Sequence, residues 1–272
     1  MIPDRAPTIR ELLDFYREAG VDCALAETPV DRLAAEEQPA APVTPIPAPP
    51  PVTKPVAAAT PRGDPAPPPD VAISSARDAA RTAPTLEALR AMLNAFDGCA
   101  LKFTATQLVF ADGNPAARLM FVGEAPGRDE DLEGLPFVGR SGQLLNRMIA
   151  AIGLKRSDVY IANVIPWRPP GNRTPTPQET QICLPFIQRQ IELVNPDVLV
   201  TLGNPSTQTL LGTREGIMKT RGRWIDYNTG TRTIRAMATF HPAYLLRSPA
   251  SKRLSWIDLR AIATALAQPS SR

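Results

Sequence analysis

From Leu119 onward, short continuous apolar runs alternate with longer stretches in which apolar residues recur every three or four positions. The runs are too short for helices and the stretches carry the 3.6-residue period, a pattern that predicts βα units around a largely parallel sheet. Strands are predicted at about 118–122, 159–164, 197–202 and 234–240. Leu144, Leu145, Met148, Ile149 and Ile152 trace one face of a helix that Gly153 ends. Thr176 caps the next, with Pro177 at its first position and Glu179 completing a capping box. Ile182, Cys183, Phe186, Ile187, Gln190, Ile191 and Val194 mark its inner side. A shorter helix around 204–211 and a C-terminal one around 252–267 complete the set. Right-handed crossovers place helices on both faces, so the expected fold is a three-layer α/β/α domain with a central, mainly parallel four-stranded sheet.

The first 84 residues follow a different pattern. Residues 1–27 hold one small amphipathic helix over about 8–19: Thr8 and Glu11 form a capping box, Ile9, Leu12, Leu13 and Tyr16 share a face, and Gly20 can stop it. So short a helix needs a partner for its apolar stripe, either its own domain or another protein. Residues 28–84 contain about half of the 31 prolines among alanines and scattered charges, and are expected to be a disordered linker. The expected catalytic domain is 85–272.

Charge changes the picture only when divided. Residues 1–117 carry 10 Lys and Arg against 15 Asp and Glu, a net of −5, whereas the remainder carries 20 against 12, a net of +8. A basic domain favours phosphate contacts and thus a nucleic-acid partner. No run of 18 apolar residues and no secretory leader is present, and three cysteines at long spacing form no disulfide framework. A cytoplasmic protein with no membrane partner is expected.

Two short motifs sit where predicted strands end: Gly123-Glu-Ala-Pro-Gly127, after the run Leu119–Val122, and His241-Pro-Ala-Tyr-Leu-Leu-Arg247, which holds the sole histidine. Strand ends are where open α/β sheets place their chemistry. A carboxylate on one such loop facing an imidazole on another stabilises a cation on one side and an anion on the other, which is what cleaving a glycosidic bond to a base requires.

The run GEAPGRDEDLEGLPFVGRSG from Gly123, the later NVIPWRPPGNRTPTP and the final HPAYLLRSP, in that order, resemble the bacterial family 4 uracil-DNA glycosylases over roughly residues 84–267. The resemblance implies an enzyme that flips deoxyuridine out of DNA and hydrolyses its glycosidic bond; it is expected to be monofunctional, since no lysine sits in a recognised Schiff-base position, and monomeric, since its basic face must wrap DNA. Glu124 then stabilises the oxocarbenium-like sugar or orients water, with Glu130 and Asp131 as candidates to share that task. His241 donates its N–H to O2 of the leaving uracil. Ala125 and Gly127 contact the base, Asn163 reads its N3–H and O4 edge, and Phe137 stacks on it, unless Phe137 is simply a core residue. In Tyr244-Leu245-Leu246-Arg247 one leucine is a wedge for the hole left by the flipped nucleotide and Arg247 holds a phosphate, as do Arg140, Arg168 and Arg173. Same-fold alternatives are a glycosylase of broader base preference, acting on hypoxanthine or mismatched uracil, and a DNA-binding homologue without catalysis.

The family carries a [4Fe–4S] cluster on four cysteines. Here the four positions match Phe96, Cys99, Trp167 and Cys183, so two thiols remain, and Cys23 across the linker leaves the set one short. A cubane needs four ligands. No cluster and no metal are expected, with Phe96 and Trp167 filling the space.

Overall fold

The computed structural model describes residues 69–269. The expected helix at 8–19, Cys23 and the linker up to residue 68 lie outside the described residues.

Six strands form one sheet in the order β1-β3-β2-β4-β6-β5. They are β1 (Asp112–Gly113), β2 (Leu119–Gly123), β3 (Tyr160–Asn163), β4 (Val198–Leu202), β5 (Trp224–Asn228) and β6 (Thr233–Thr239). The four expected strands are the central, mutually parallel ones, β3-β2-β4-β6, with Phe121 opposite both Ile161 and Val200. Two antiparallel edges extend that expectation. Two-residue β1 pairs Asp112 with Ile161, and β5 pairs along β6 from Trp224–Met237 to Asn228–Thr233. The sequence of β5, Trp-Ile-Asp-Tyr-Asn, mixes polar and apolar residues because an edge strand is half exposed, so it lacks the apolar run that marks a central one.

Every residue of β2, β3 and β4 is buried, as expected for parallel strands covered on both faces. Alternate side chains feed two cores. On one face Met120, Val122, Ala162 and Leu199 pack under α1 (Pro69–Thr82), α2 (Leu86–Ala95) and α5 (Pro177–Val194). On the other, Leu119, Phe121, Ile161 and Val200 pack under α4 (Arg140–Ala151) and α9 (Lys252–Leu266). The remaining helices, α3 (Arg128–Glu133), α6 (Asn204–Leu211), α7 (Ile217–Thr220) and α8 (Pro242–Arg247), are short and begin near strand ends.

Helix α1 corrects the expected linker boundary. Residues 69–82, assigned from composition to disordered chain, form a 14-residue helix with buried Ala72, Ala76 and Ala80 four residues apart. The alanine stripe lets α1 lie close against α5, and Arg189 of α5 donates two hydrogen bonds to the Ala83 carbonyl, at 2.8 and 3.1 Å. Proline crowding had hidden this helix, although Pro69 stands at its first position, where proline is tolerated.

Candidate active site

The carboxyl ends of all four parallel strands meet around one cavity of ≈ 650 Å³. Each contributes a loop: Glu124–Gly127 from β2, Asn163 from β3, Gly203–Pro205 from β4 and His241 from β6. The two strand-end motifs, 117 positions apart in Glu124 and His241, therefore face the same space.

Glu124 is half buried, and burial raises its pKa above the ordinary carboxylate value. His241 caps α8, and its Nδ1 accepts the Ala243 N–H at 3.1 Å. With Nδ1 an acceptor, the neutral ring carries its proton on Nε2. Burial, reinforced by the nearby positive charge of Arg247, pushes its pKa down to about 4, so the ring is neutral at physiological pH. Gly203, at φ 89, makes room for it: a Cβ there would come within 3.0 Å of His241 Cβ.

Asn163 is 5 % exposed, and its Oδ1 is buried with no hydrogen-bond partner. An unpaired buried amide oxygen costs roughly 1–3 kcal/mol, a cost that a ligand donor removes. Gly123 keeps the space beside it open, since a Cβ would lie 2.4 Å from that Oδ1 and 2.5 Å from Phe137 Cζ. Phe137 is both core and cavity wall. It is 4 % exposed, lines the cavity and sets its ring 5.4 Å from the His241 ring.

Phe137 adopts φ 54, unusual for a bulky residue, and the surrounding structure holds it there. Arg156 donates to the carbonyls of Pro136 at 2.6 Å and Phe137 at 3.1 Å, and pairs with Asp112 at 2.5 Å. Gly142 allows the close approach of the Phe137 carbonyl, which a Cβ would meet at 1.8 Å. Arg156 was not among the expected site residues; its role depends on which loops meet, and no local motif announces it. Asn204 was missed as well. It lines the cavity, and its Oδ1 is buried and unpartnered. The signal was a strand ending at 202 followed at once by a helix, which puts Asn204 on the same rim.

Two expectations are corrected. Glu130 and Asp131 do not serve a water, because their oxygens are committed to neighbouring groups. Glu130 accepts from the backbone N–H groups of Gly127, Val138 and Gly139, each at 3.1 Å, and so ties the Glu124 loop to the Phe137 loop. Asp131 accepts from the Thr106 N–H at 2.8 Å and its hydroxyl at 2.9 Å. Of the two leucines offered as alternatives for the wedge, Leu245 is 1 % exposed and packed in the core, whereas Leu246 is 37 % exposed. Ala125, Gly127, Arg173, Tyr244 and Arg247 line the cavity. Arg140 is exposed at the start of α4, Arg168 donates to Asn172 Oδ1 at 2.7 Å, and Arg173 is paired with Glu179 at 2.6 Å.

The uracil DNA glycosylase superfamily model matches residues 110–260, which include all four strand ends. The chain belongs to the uracil-DNA glycosylase superfamily. It is 47% identical over 151 residues to a type-4 uracil-DNA glycosylase of Thermotoga maritima, covering 55% of this chain and 77% of that one. Type-4 uracil-DNA glycosylases of Archaeoglobus fulgidus and Saccharolobus solfataricus are 43% and 42% identical, with 56% and 57% of this chain and 78% and 74% of theirs covered. The superfamily's three-layer α/β architecture is the one seen here.

The residues at the positions matched to cluster ligands do not fit a [4Fe–4S] group. Cys99 and Cys183 are buried with their sulfurs 3.9 Å apart, and no third thiol joins them among the described residues. The Cys183 thiol is pushed above its ordinary pKa by its hydrogen bond to Cys99 and by burial. Trp167 is 2 % exposed, and Phe96 packs edge-on against Phe186 with centroids 5.2 Å apart. Two buried thiols and two packed aromatic rings stand at the four positions that the resemblance matches, whereas a cubane is held by four ligands.

Proposed function

We propose that this protein is a monofunctional uracil-DNA glycosylase that draws deoxyuridine out of DNA, hydrolyses its N-glycosidic bond and leaves an abasic site, initiating base excision repair. The observation that carries the reading is the convergence of Glu124, Phe137, Asn163 and His241 on one cavity. Its membership of the superfamily and its likeness to proteins named type-4 uracil-DNA glycosylases support it.

In this reading the uracil enters beside Phe137. Its N3–H donates to the unpartnered Asn163 Oδ1, and the Asn163 amide N–H donates to O4. Cytosine offers an acceptor and a donor in those places, leaving buried polar groups unpaired, and is rejected. As the C1′–N1 bond lengthens, charge separates. The Glu124 carboxylate stabilises the positive sugar and orients the attacking water, while His241 Nε2–H donates to uracil O2 and stabilises the departing anion. A neutral imidazole suits this task, and the low pKa of His241 keeps it neutral. Exposed Leu246 fills the hole in the stack, and Arg247, Arg140 and Arg173 hold phosphates. The protein acts as a monomer in the cytoplasm, without an iron–sulfur cluster.

Oligonucleotides bearing uracil, hypoxanthine or thymine opposite guanine, single- and double-stranded, test the reading when incubated with the protein and treated with alkali. Scission at uracil is expected. Binding without scission would make the protein a DNA-binding homologue instead.

A further inference from the structure

The three residues that precede His241 on β6 are each held by one buried ion pair, Arg221 with Asp258. Arg221 ends α7 and bridges through its backbone to Ala238, and the next N–H, that of Gly222, donates to the Ala238 carbonyl at 3.0 Å. The Arg221 guanidinium forks onto both carboxylate oxygens of Asp258 in α9, with Nε 3.0 Å from Oδ2, and its Nη2 also donates to the Leu254 carbonyl at 2.7 Å. That same Oδ2 accepts the Thr239 hydroxyl at 2.7 Å. The guanidinium carbon lies 5.7 Å from the centroid of the Phe240 ring, a cation–π contact. Ala238, Thr239 and Phe240 then lead directly into His241.

The fit around the pair is close. Gly222 sits at φ 72, and a Cβ there would lie 2.7 Å from Asp258 Oδ1. Phe240 in turn stacks on Tyr244 of α8, centroids 5.0 Å and planes 30° apart, and both rings line the catalytic cavity. Stability alone does not call for two charges in this place. The side chains of Asp258 and Arg221 are 0 % and 13 % exposed, and well-packed apolar residues of similar volume commonly serve a buried site as well as an ion pair does. What an apolar pair lacks is direction: the planar fork sets guanidinium and carboxylate in one mutual orientation, and here that orientation is passed to a strand end.

We propose that Arg221 and Asp258 are positioning residues for His241, fixing the last turn of β6 so that the imidazole Nε2–H is aimed at the departing base. Neither side chain lines the catalytic cavity, so both act through the strand and the Phe240–Tyr244 stack. The inference rests on the glycosylase reading and adds to it the device that aims its histidine.

The test compares the native chain with Arg221→Lys, which keeps a charge opposite Asp258 but loses the fork, and with an Arg221→Met/Asp258→Leu double variant, which removes both charges. Each is made with His241 intact and with His241→Asn. With His241 intact, kcat for uracil release is expected to fall by about 10²-fold, the cost of misplacing a catalytic group by about 1 Å, while KM is unchanged. In the His241→Asn background the same changes slow release no further, because the group they aim is gone. The imidazole resonances of the sole histidine move in both variants, a readout that needs no turnover. Native kcat in both variants, unmoved resonances, or an equal loss with and without the histidine each overturns the proposal. Absence of uracil release by the native chain would overturn the glycosylase reading instead, and the resonances would still report whether the pair sets the ring.

Discussion

His241 is the residue whose state most constrains the chemistry. An imidazolium would give uracil a full proton, whereas a neutral ring offers only a hydrogen bond, and the Ala243 N–H on Nδ1 together with burial selects the neutral Nε2–H form. Because this is the chain's sole histidine, its imidazole resonances need no assignment. They are expected to titrate near pH 4, against about 6.5 for an unperturbed ring. Between those values the unfolded state binds the extra proton, so stability falls as pH drops from about 6.5 towards 4. Activity follows a different group. Glu124, whose carboxyl burial pushes above the ordinary carboxylate range, must be ionised to act and sets the acid limb of kcat. An inflection in kcat near pH 6.5, moving with the histidine resonances, would contradict this assignment. At this scale the sequence was informative: the glutamate, asparagine and histidine follow apolar runs, so their places at strand ends were legible. Arg156 and Asn204 were not, because one acts through loop carbonyls and the other through a neighbouring strand end.

Among the elements, the two loops that carry Glu124 and Phe137 are held together by one carboxylate. Glu130 takes three backbone N–H groups from them, and it does so from inside α3, where a charged run in sequence looks like a solvated face. Glu130→Ala leaves those donors without their partner, at about 1–3 kcal/mol for each one that water does not reach. The expected result in denaturant unfolding is a loss of about 3 kcal/mol, with a fall in kcat larger than that of Glu133→Ala on the exposed side of the same helix. Equal stability of the two variants would refute the role. The central strands were legible because parallel strands buried on both faces must be apolar throughout. Edges β1 and β5 escaped the pattern because one is two residues long and the other is half exposed.

For the whole molecule, the fold joins motifs at 123–127 and 241–247 only through the order of its strands, in which β4 separates β2 from β6. Its stability draws on α1, a segment that composition assigned to linker and packing assigns to the core. Compared with a chain shortened by residues 1–68, one shortened through Thr85 uncovers the α5 face and is expected to melt about 10 °C lower. Similar melting of the two shortened chains would return α1 to the linker. The buried Cys99 and Cys183 pair, in the same core as Phe96 and Trp167, predicts purified protein without stoichiometric iron or sulfide and without broad visible absorbance; four irons per chain would show that ligands come from elsewhere.

The central claim is that Glu124 and His241 act together across one cavity on a single breaking bond. Single-turnover release of uracil from an oligonucleotide, measured for the native chain, Glu124→Gln, His241→Asn and the double variant, tests it most directly. Each single change is expected to slow release by about 10²–10³-fold, and the double by clearly less than the product, because both groups stabilise the same separated charges. Native rates in either single variant would contradict the account.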